Sequence, residues 1–234
     1  VSTSGKFATL KGLPSASPIA ERIGLERDLA LVEMTNAKYH FDQITTISSI
    51  EVFRRAKKSG LDISAGTSIH HLCFNELDIA DYKTFFKIKP PLRSENDRLA
   101  TIEAVRDGTI DIVSSMHTPQ DEESKRLPFE DAASGAIGLE TILPAMLRLY
   151  HSSHLKMEQI FNAISLKPAK RLGLACGSLK HKQIADLIVF DADKPFILNR
   201  ELLHSKVKNT PFDGHKLQGQ VLRTFVKGKE VFSL

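Results

Sequence analysis

The chain has 234 residues, of which 41% are apolar and 26% charged. That composition suits a soluble globular fold with a real core, and it argues against disorder or a collagen-like chain. The formal net charge of +4 comes from Lys and Arg spread among Asp and Glu, with the largest local excess near Lys167 to Lys182. It offers neither the clustered basic stripe nor the aromatic platform that nucleic-acid binding needs.

No apolar run approaches the roughly 18 residues of a membrane span. Val1 to Gly12 lack the apolar segment of a secretory leader. The chain opens on Val rather than Met, so it is expected to be processed or part of something longer. Cys73 and Cys176 have no metal-binding spacing and are expected to stay reduced in a cytoplasmic setting.

In chain order, Pro18 to Thr35 reads as a helix, with Ile19, Ile23, Leu29 and Val32 as its apolar stripe. Lys38 to Thr45 reads as a short strand. Ser48 and Glu51 fit a capping box opening a second helix. Its buried face is Ile50, Phe53 and Ala56, and Gly60 suits its end. Leu61 to Thr67 reads as the next strand. Phe85 to Lys89 is a short apolar segment ended by Pro90 and Pro91. Asp97 to Val105 is helical and Gly108 stops it. Thr109 to Ser115 reads as another strand. Gly138 to His151 and Met157 to Ile164 complete the helices. Strands and helices alternating at this spacing predict parallel βαβ units.

The tail differs. Ala185 to Asp191 is strand-like, and Gly219 to Phe232 predicts a hairpin turning near Lys227-Gly228-Lys229. The expected organisation is α/β over residues 1 to 180, followed by a β-rich unit over residues 181 to 234.

Several ordered segments carry a family resemblance. They are GLPSASPIAERIGLERD from Gly12, YHFDQIT from Tyr39, SAGTSIHHL from Ser64, KIKPPLRSENDR from Lys87, DGTIDIVSSMHTPQ from Asp107 and PFEDAASGAIGLET from Pro128. ADLIVFD and SKVKNTPFDGHKLQGQVLRTFVKGKEV follow. Together they resemble dihydroorotases of the multifunctional-complex type, within the amidohydrolase superfamily.

That resemblance implies a TIM-like (β/α)8 barrel with zinc at the C-terminal mouth of its strands, plus a small β-sandwich. About four strands are visible, so the chain is expected to be the C-terminal half of such a barrel with part of the sandwich. The implied chemistry interconverts carbamoyl-aspartate and dihydroorotate. It needs a polarised carbonyl, an activated water and a proton shuttle.

The scaffold positions match: Pro90, Pro91, Arg93, Asp97, Arg98, Gly108, Gly135, Gly138, Glu140, Asn209 and Pro211. The reactive positions do not. Gln43 stands where the family has a metal-binding His. Met116 stands where the family has the Asp that is ligand and proton shuttle. Gln120 replaces a substrate-binding His, Lys89 replaces an Asn, and Gly66 replaces a Glu. His70, of the pair His70-His71, is the one ligand position retained, and Gly135 keeps its place by the substrate.

A thioether neither carries a proton nor offers a carboxylate. The expectation is therefore a chain that binds no zinc through its own residues. His117 is expected to hydrogen-bond locally, His151 and His154 to be helix-end histidines, and Met116 to pack in the core. If Tyr39, Phe41 and Gln43 share a face, His40 and Asp42 point away from the barrel interior.

Two functions follow from the resemblance. One is a non-catalytic partner of aspartate transcarbamoylase, or a self-associating chain. The other is an active zinc hydrolase that completes its site with residues outside this sequence.

Overall fold

The computed structural model describes residues 1–234. A small parallel pair, β1 (Ser2–Thr3) and β2 (Ser15–Ala16), brackets the short helix α1 (Lys6–Lys11). The helix α2 (Pro18–Thr35) follows, and its start is written locally. The Ser17 hydroxyl accepts from the Ile19 amide, and Pro18 occupies the first turn, where no amide partner is needed. Asn36 ends α2 in the left-handed conformation at φ 53°.

Next come β3 (Tyr39–Phe41), α3 (Ile47–Lys58), β4 (Ile63–Ser68) and α4 (Ile69–Cys73). Short 3-10 turns cover Glu76–Ile79 and Thr84–Phe86. After them lie α5 (Glu95–Arg106), β5 (Ile112–Ser114) and α6 (Glu122–Arg126). The helical run closes with α7 (Ile142–His151), α8 (Met157–Phe161), a wider π turn over Asn162–Leu166, and α9 (Lys167–Leu172).

β3, β4 and β5 form one parallel sheet in chain order, with Tyr39 opposite Ile63 and Gly66 opposite Ile112. Parallel register with a helix between each pair of strands is the βαβ pattern the sequence predicts. It also sends all three C-terminal strand ends to one edge.

The tail is antiparallel. β6 (Leu187–Ile197), β7 (Lys216–Val226) and β8 (Lys229–Ser233) form a three-stranded meander. Its β7–β8 turn uses Lys227 at φ 51° and Gly228 at φ 77°, as a tight hairpin requires. Leu198, Phe212 and Leu217 from this region belong to the same core cluster as Leu25, Phe53 and Ile110.

Four local expectations are corrected. The second helix is capped by Thr46, whose hydroxyl accepts from the Ser49 amide, rather than by Ser48 with Glu51. Phe85 to Lys89 makes no strand, because the chain takes a 3-10 turn there before Pro90, so the parallel sheet has three strands rather than about four.

On α2, Ile19 and Ile23 are 59% and 61% exposed, while Leu25, Leu29 and Val32 face the core. The helix carries apolar side chains on opposite sides, and the spacing of Leu25, Leu29 and Val32 selects the buried one. Finally, Tyr39 and Phe41 pack with the helix-side core, so it is His40 that lies across the sheet on Gly66 and Ser64.

Candidate functional site at the strand ends

Because β3, β4 and β5 are parallel, the residues just past their ends come together. Gln43 follows β3, His70 lies in α4 directly after β4, and Met116 follows β5. The Gln43 Nε2 is 3.5 Å from both Met116 Sδ and Ser114 Oγ. Two positions separated by more than seventy residues therefore meet, as the resemblance implies. What meets is an amide and a thioether.

Met116 is half-buried rather than packed in the core, and its backbone sits at φ 44°. That left-handed conformation is unfavourable for a residue with a long side chain. The following turn explains how it is held. His117 Nδ1 accepts from the amides of Gly138 and Leu139, each at 3.3 Å, and Thr118 bonds back to the Met116 carbonyl at 3.1 Å. His117 is thus hydrogen-bonded, but to amides 21 and 22 positions away rather than locally as expected.

His70 is 1% exposed, and neither of its ring nitrogens has a hydrogen-bond partner. Burial pushes its imidazole down to about 3, with neighbouring His71 and His117 as lesser causes. It is neutral at physiological pH. The Gln43 Oε1 is likewise buried with no partner. His71 is better served, with Nδ1 2.7 Å from Ser68 Oγ and Nε2 3.1 Å from the Pro90 carbonyl.

Glycines fix how closely these strand ends approach. A Cβ on Gly138 would lie 2.1 Å from the Ser115 carbonyl and 3.2 Å from His70 Nε2. At Gly66 it would lie 2.6 Å from the Asp42 carbonyl and 3.2 Å from His40 Nε2. The Glu that the resemblance implies at Gly66 has no room in this arrangement. His40 fills that side instead, with Nδ1 2.7 Å from Ser64 Oγ. Asp42 Oδ1 approaches His40 Nε2 to 4.0 Å, so it shares the His40 side of the sheet. His40 and Asp42 thus share a face as expected, while Gln43 leaves the Tyr39–Phe41 face and meets Ser114 on the His40 side. The strand ends at Phe41, so its two-residue alternation does not extend to Gln43.

The remaining predicted positions lie on neighbouring loops. The Gly135 amide donates to the Lys87 carbonyl at 2.8 Å. Gln120 Nε2 donates to the Ser134 carbonyl at 3.1 Å. Lys89 is exposed. Asn209 ties these loops to the tail, because its Nδ2 donates to the carbonyls of Thr118 and Gly135 and its Oδ1 accepts from the Gln120 amide. His151 and His154 lie elsewhere, at the end of α7, where His151 Nε2 meets the Ala192 carbonyl at 3.0 Å.

Three contributors escaped the sequence reading. Ser114 touches Gln43. Lys125 Nζ donates to the carbonyls of Thr84, Lys87 and Ala133, pinning neighbouring loops together. Glu21 accepts from the Thr45 and Thr46 amides at 2.9 and 3.1 Å, from both their hydroxyls, and from Arg93 at 3.2 Å. This buried carboxylate holds the turn just past Gln43. Only the placement of an acid before TT, with a distant Arg, could have hinted at it.

Zinc of the kind the resemblance implies needs imidazole, thiolate or carboxylate donors around one point. These residues do not fit it. Gln43 offers a neutral amide, Met116 a thioether, and His70 is the one imidazole. Nowhere in the chain do three His, Cys, Asp or Glu side chains converge as a metal-binding group.

Comparison with known proteins places this geometry. The model of the amidohydrolase family matches residues 11–231. The dihydroorotase of Ehrlichia chaffeensis is 38% identical over 224 residues, covering 95% of this chain and 49% of the relative. That of Desulforapulum autotrophicum is 38% identical over 231 residues, covering 97% and 53%. The chain thus spans about half the length of the relatives it matches. Among solved structures, the L-hydantoinase (dihydropyrimidinase) of Arthrobacter aurescens superposes with a TM-score of 0.85 at 27% identity, over 89% of this chain and 48% of that one. The dihydropyrimidinase of Brevibacillus agri gives 0.86 at 21% identity, over 92% and 49%, which supports the fold alone.

Proposed function

The chain belongs to the amidohydrolase family and is dihydroorotase-like, and from that premise we propose that it serves pyrimidine biosynthesis as a structural partner of aspartate transcarbamoylase rather than as a hydrolase. In this reading β3, β4 and β5 are part of a (β/α)8 barrel over residues 1 to 180, the strands of residues 181 to 234 are part of a β-sandwich, and the protein works in the cytoplasm.

One observation carries the reading. The Gln43 amide rests on the Met116 thioether, where the family places a metal-binding His and a proton-carrying Asp. Opening a cyclic amide needs charge stabilisation at the carbonyl oxygen and a group that moves a proton. Gln43 and Met116 supply neither. Meanwhile the groups that shape the frame are intact: Arg93 on Glu21, Arg98 on Glu95, and Asn209 on Gly135. A frame kept in working order beside a reactive centre that is not suits a protein whose task is assembly.

Co-expression of the full-length protein with its transcarbamoylase tests this directly. A stable co-eluting complex, with transcarbamoylase activity that falls when the partner is removed, is the expected result. Separate elution with unchanged transcarbamoylase activity would refute it.

A second reading has one feature in its favour, the two unpartnered nitrogens of His70. An active zinc hydrolase could use His70 if a further segment brought the other ligands. Ring opening of dihydroorotate that is lost in His70→Ala would favour that reading.

A further inference from the structure

A cavity of about 730 Å³ lies between α6, Phe85 and the segment that joins β6 to β7. Gln120 and Asn209 help to line it, while Gln43, His70 and Met116 do not. It is therefore separate from the strand-end residues, and its volume is that of a small-molecule site.

The charges of its wall are unevenly matched. Arg126 pairs with Glu122 at 2.6 Å and with Glu123 at 3.3 Å. Arg200 pairs with Glu201 at 3.1 Å and with Asp213 at 3.6 Å. Asp121 accepts from the Ser124 amide at 2.8 Å. The three lysines of the lining, Lys125, Lys206 and Lys208, pair with no carboxylate. Lys125 Nζ donates to the carbonyls of Thr84, Lys87 and Ala133, and Lys208 Nζ to that of Leu203 at 2.7 Å. A carbonyl satisfies an N–H but leaves the ammonium charge uncompensated. Lys125 is only 4% exposed, and burial, with Lys87 as a lesser cause, pushes its ammonium down to about 8. At neutral pH it still carries a buried positive charge with no countercharge, which an anion would offset.

The donors also select the anion. A carboxylate is best held by a guanidinium fork, and both forks in this wall are taken by acids of the chain. Ammonium groups act as point charges and suit a phosphate dianion. A bare phosphate would occupy a small part of the cavity, which leaves room for a sugar-sized group. We propose that this cavity binds a small phosphate monoester, with Lys206 and Lys208 from one segment and Lys125 from α6 supplying the positive charge. The bound ester would bridge α6 and the 206–208 segment, which Asn209 already joins to the Gln120 amide.

Isothermal titration calorimetry of the full-length protein with ribose 5-phosphate tests this, with circular dichroism melts as the folding control. Binding with a Kd below about 1 mM is expected. Lys206 is exposed and supports no contact in the fold, so Lys206→Gln should weaken binding by about tenfold without changing the melt. The double variant K206Q/K208Q should weaken it by about 100-fold. Inorganic phosphate should bind more weakly than the ester, and citrate more weakly still. No heat of binding with ribose 5-phosphate would overturn the proposal, as would binding indifferent to Lys206→Gln and the double variant. Citrate or inorganic phosphate binding as tightly as the ester would overturn the assigned ligand class.

Discussion

Removing the guanidinium from the Glu21–Arg93 pair should be among the most damaging single changes in the molecule. Arg93 and Glu21 are 5% and 6% exposed at the side chain, with the guanidinium 3.2 Å from the carboxylate. Arg93 also donates to the Thr45 and Thr3 hydroxyls at 2.9 and 3.2 Å. In Arg93→Met the Glu21 carboxylate keeps its amide and hydroxyl donors but loses its only countercharge. Removing one partner of a buried pair costs about 3–5 kcal/mol, because the remaining charge is left uncompensated. Three lost hydrogen bonds fall within that figure rather than adding to it. Urea unfolding of the full-length protein measures it. The double variant Glu21→Gln with Arg93→Met removes both charges and should recover about half of the loss. A single-variant cost below about 1 kcal/mol would refute the view that this pair organises the turn beyond Gln43.

Other consequences are equally measurable. Gly138→Ala would press a methyl onto the Ser115 carbonyl at 2.1 Å, and backbone cannot step aside, so a loss of about 2–3 kcal/mol is expected in the same assay. Lys125→Met strands the carbonyls of Thr84, Lys87 and Ala133; a loss of about 2 kcal/mol and new proteolytic cleavage within residues 121–135 should follow. His70 and His71 are held by burial at about 3 and about 4, below the ordinary value of 6.5. Between pH 4 and pH 6.5 the unfolded chain takes up protons that the folded one refuses. Their stabilising contribution is therefore whole above pH 6.5 and falls as pH drops toward 4, each histidine adding to the slope. Unfolding curves across that range should show a shallower slope in His71→Gln.

How much of this was legible beforehand depended on the range of the interaction. The β7–β8 hairpin could be read because Lys227-Gly228 is a local demand for positive φ. Parallel pairing could be read from strands separated by helices. The meeting of Gln43 with Met116 was legible only through resemblance, since nothing local to either residue points to the other. The outward face of α2 was misread because apolar spacing alone fits either side of a helix that has both. Glu21 was missed because its partner Arg93 lies 72 positions away, and charge by itself predicts exposure. Gln43 was grouped with Tyr39 and Phe41 because strand alternation was carried past Phe41, where the strand already ends.

We propose that Gln43 and Met116 leave this member of the amidohydrolase family without a working metal centre. Zinc content and dihydroorotate ring opening, measured together on the full-length protein after equilibrium dialysis against zinc, test it most directly. Well under about one zinc per chain and no turnover above the uncatalysed rate are expected. Stoichiometric zinc accompanied by turnover would contradict it.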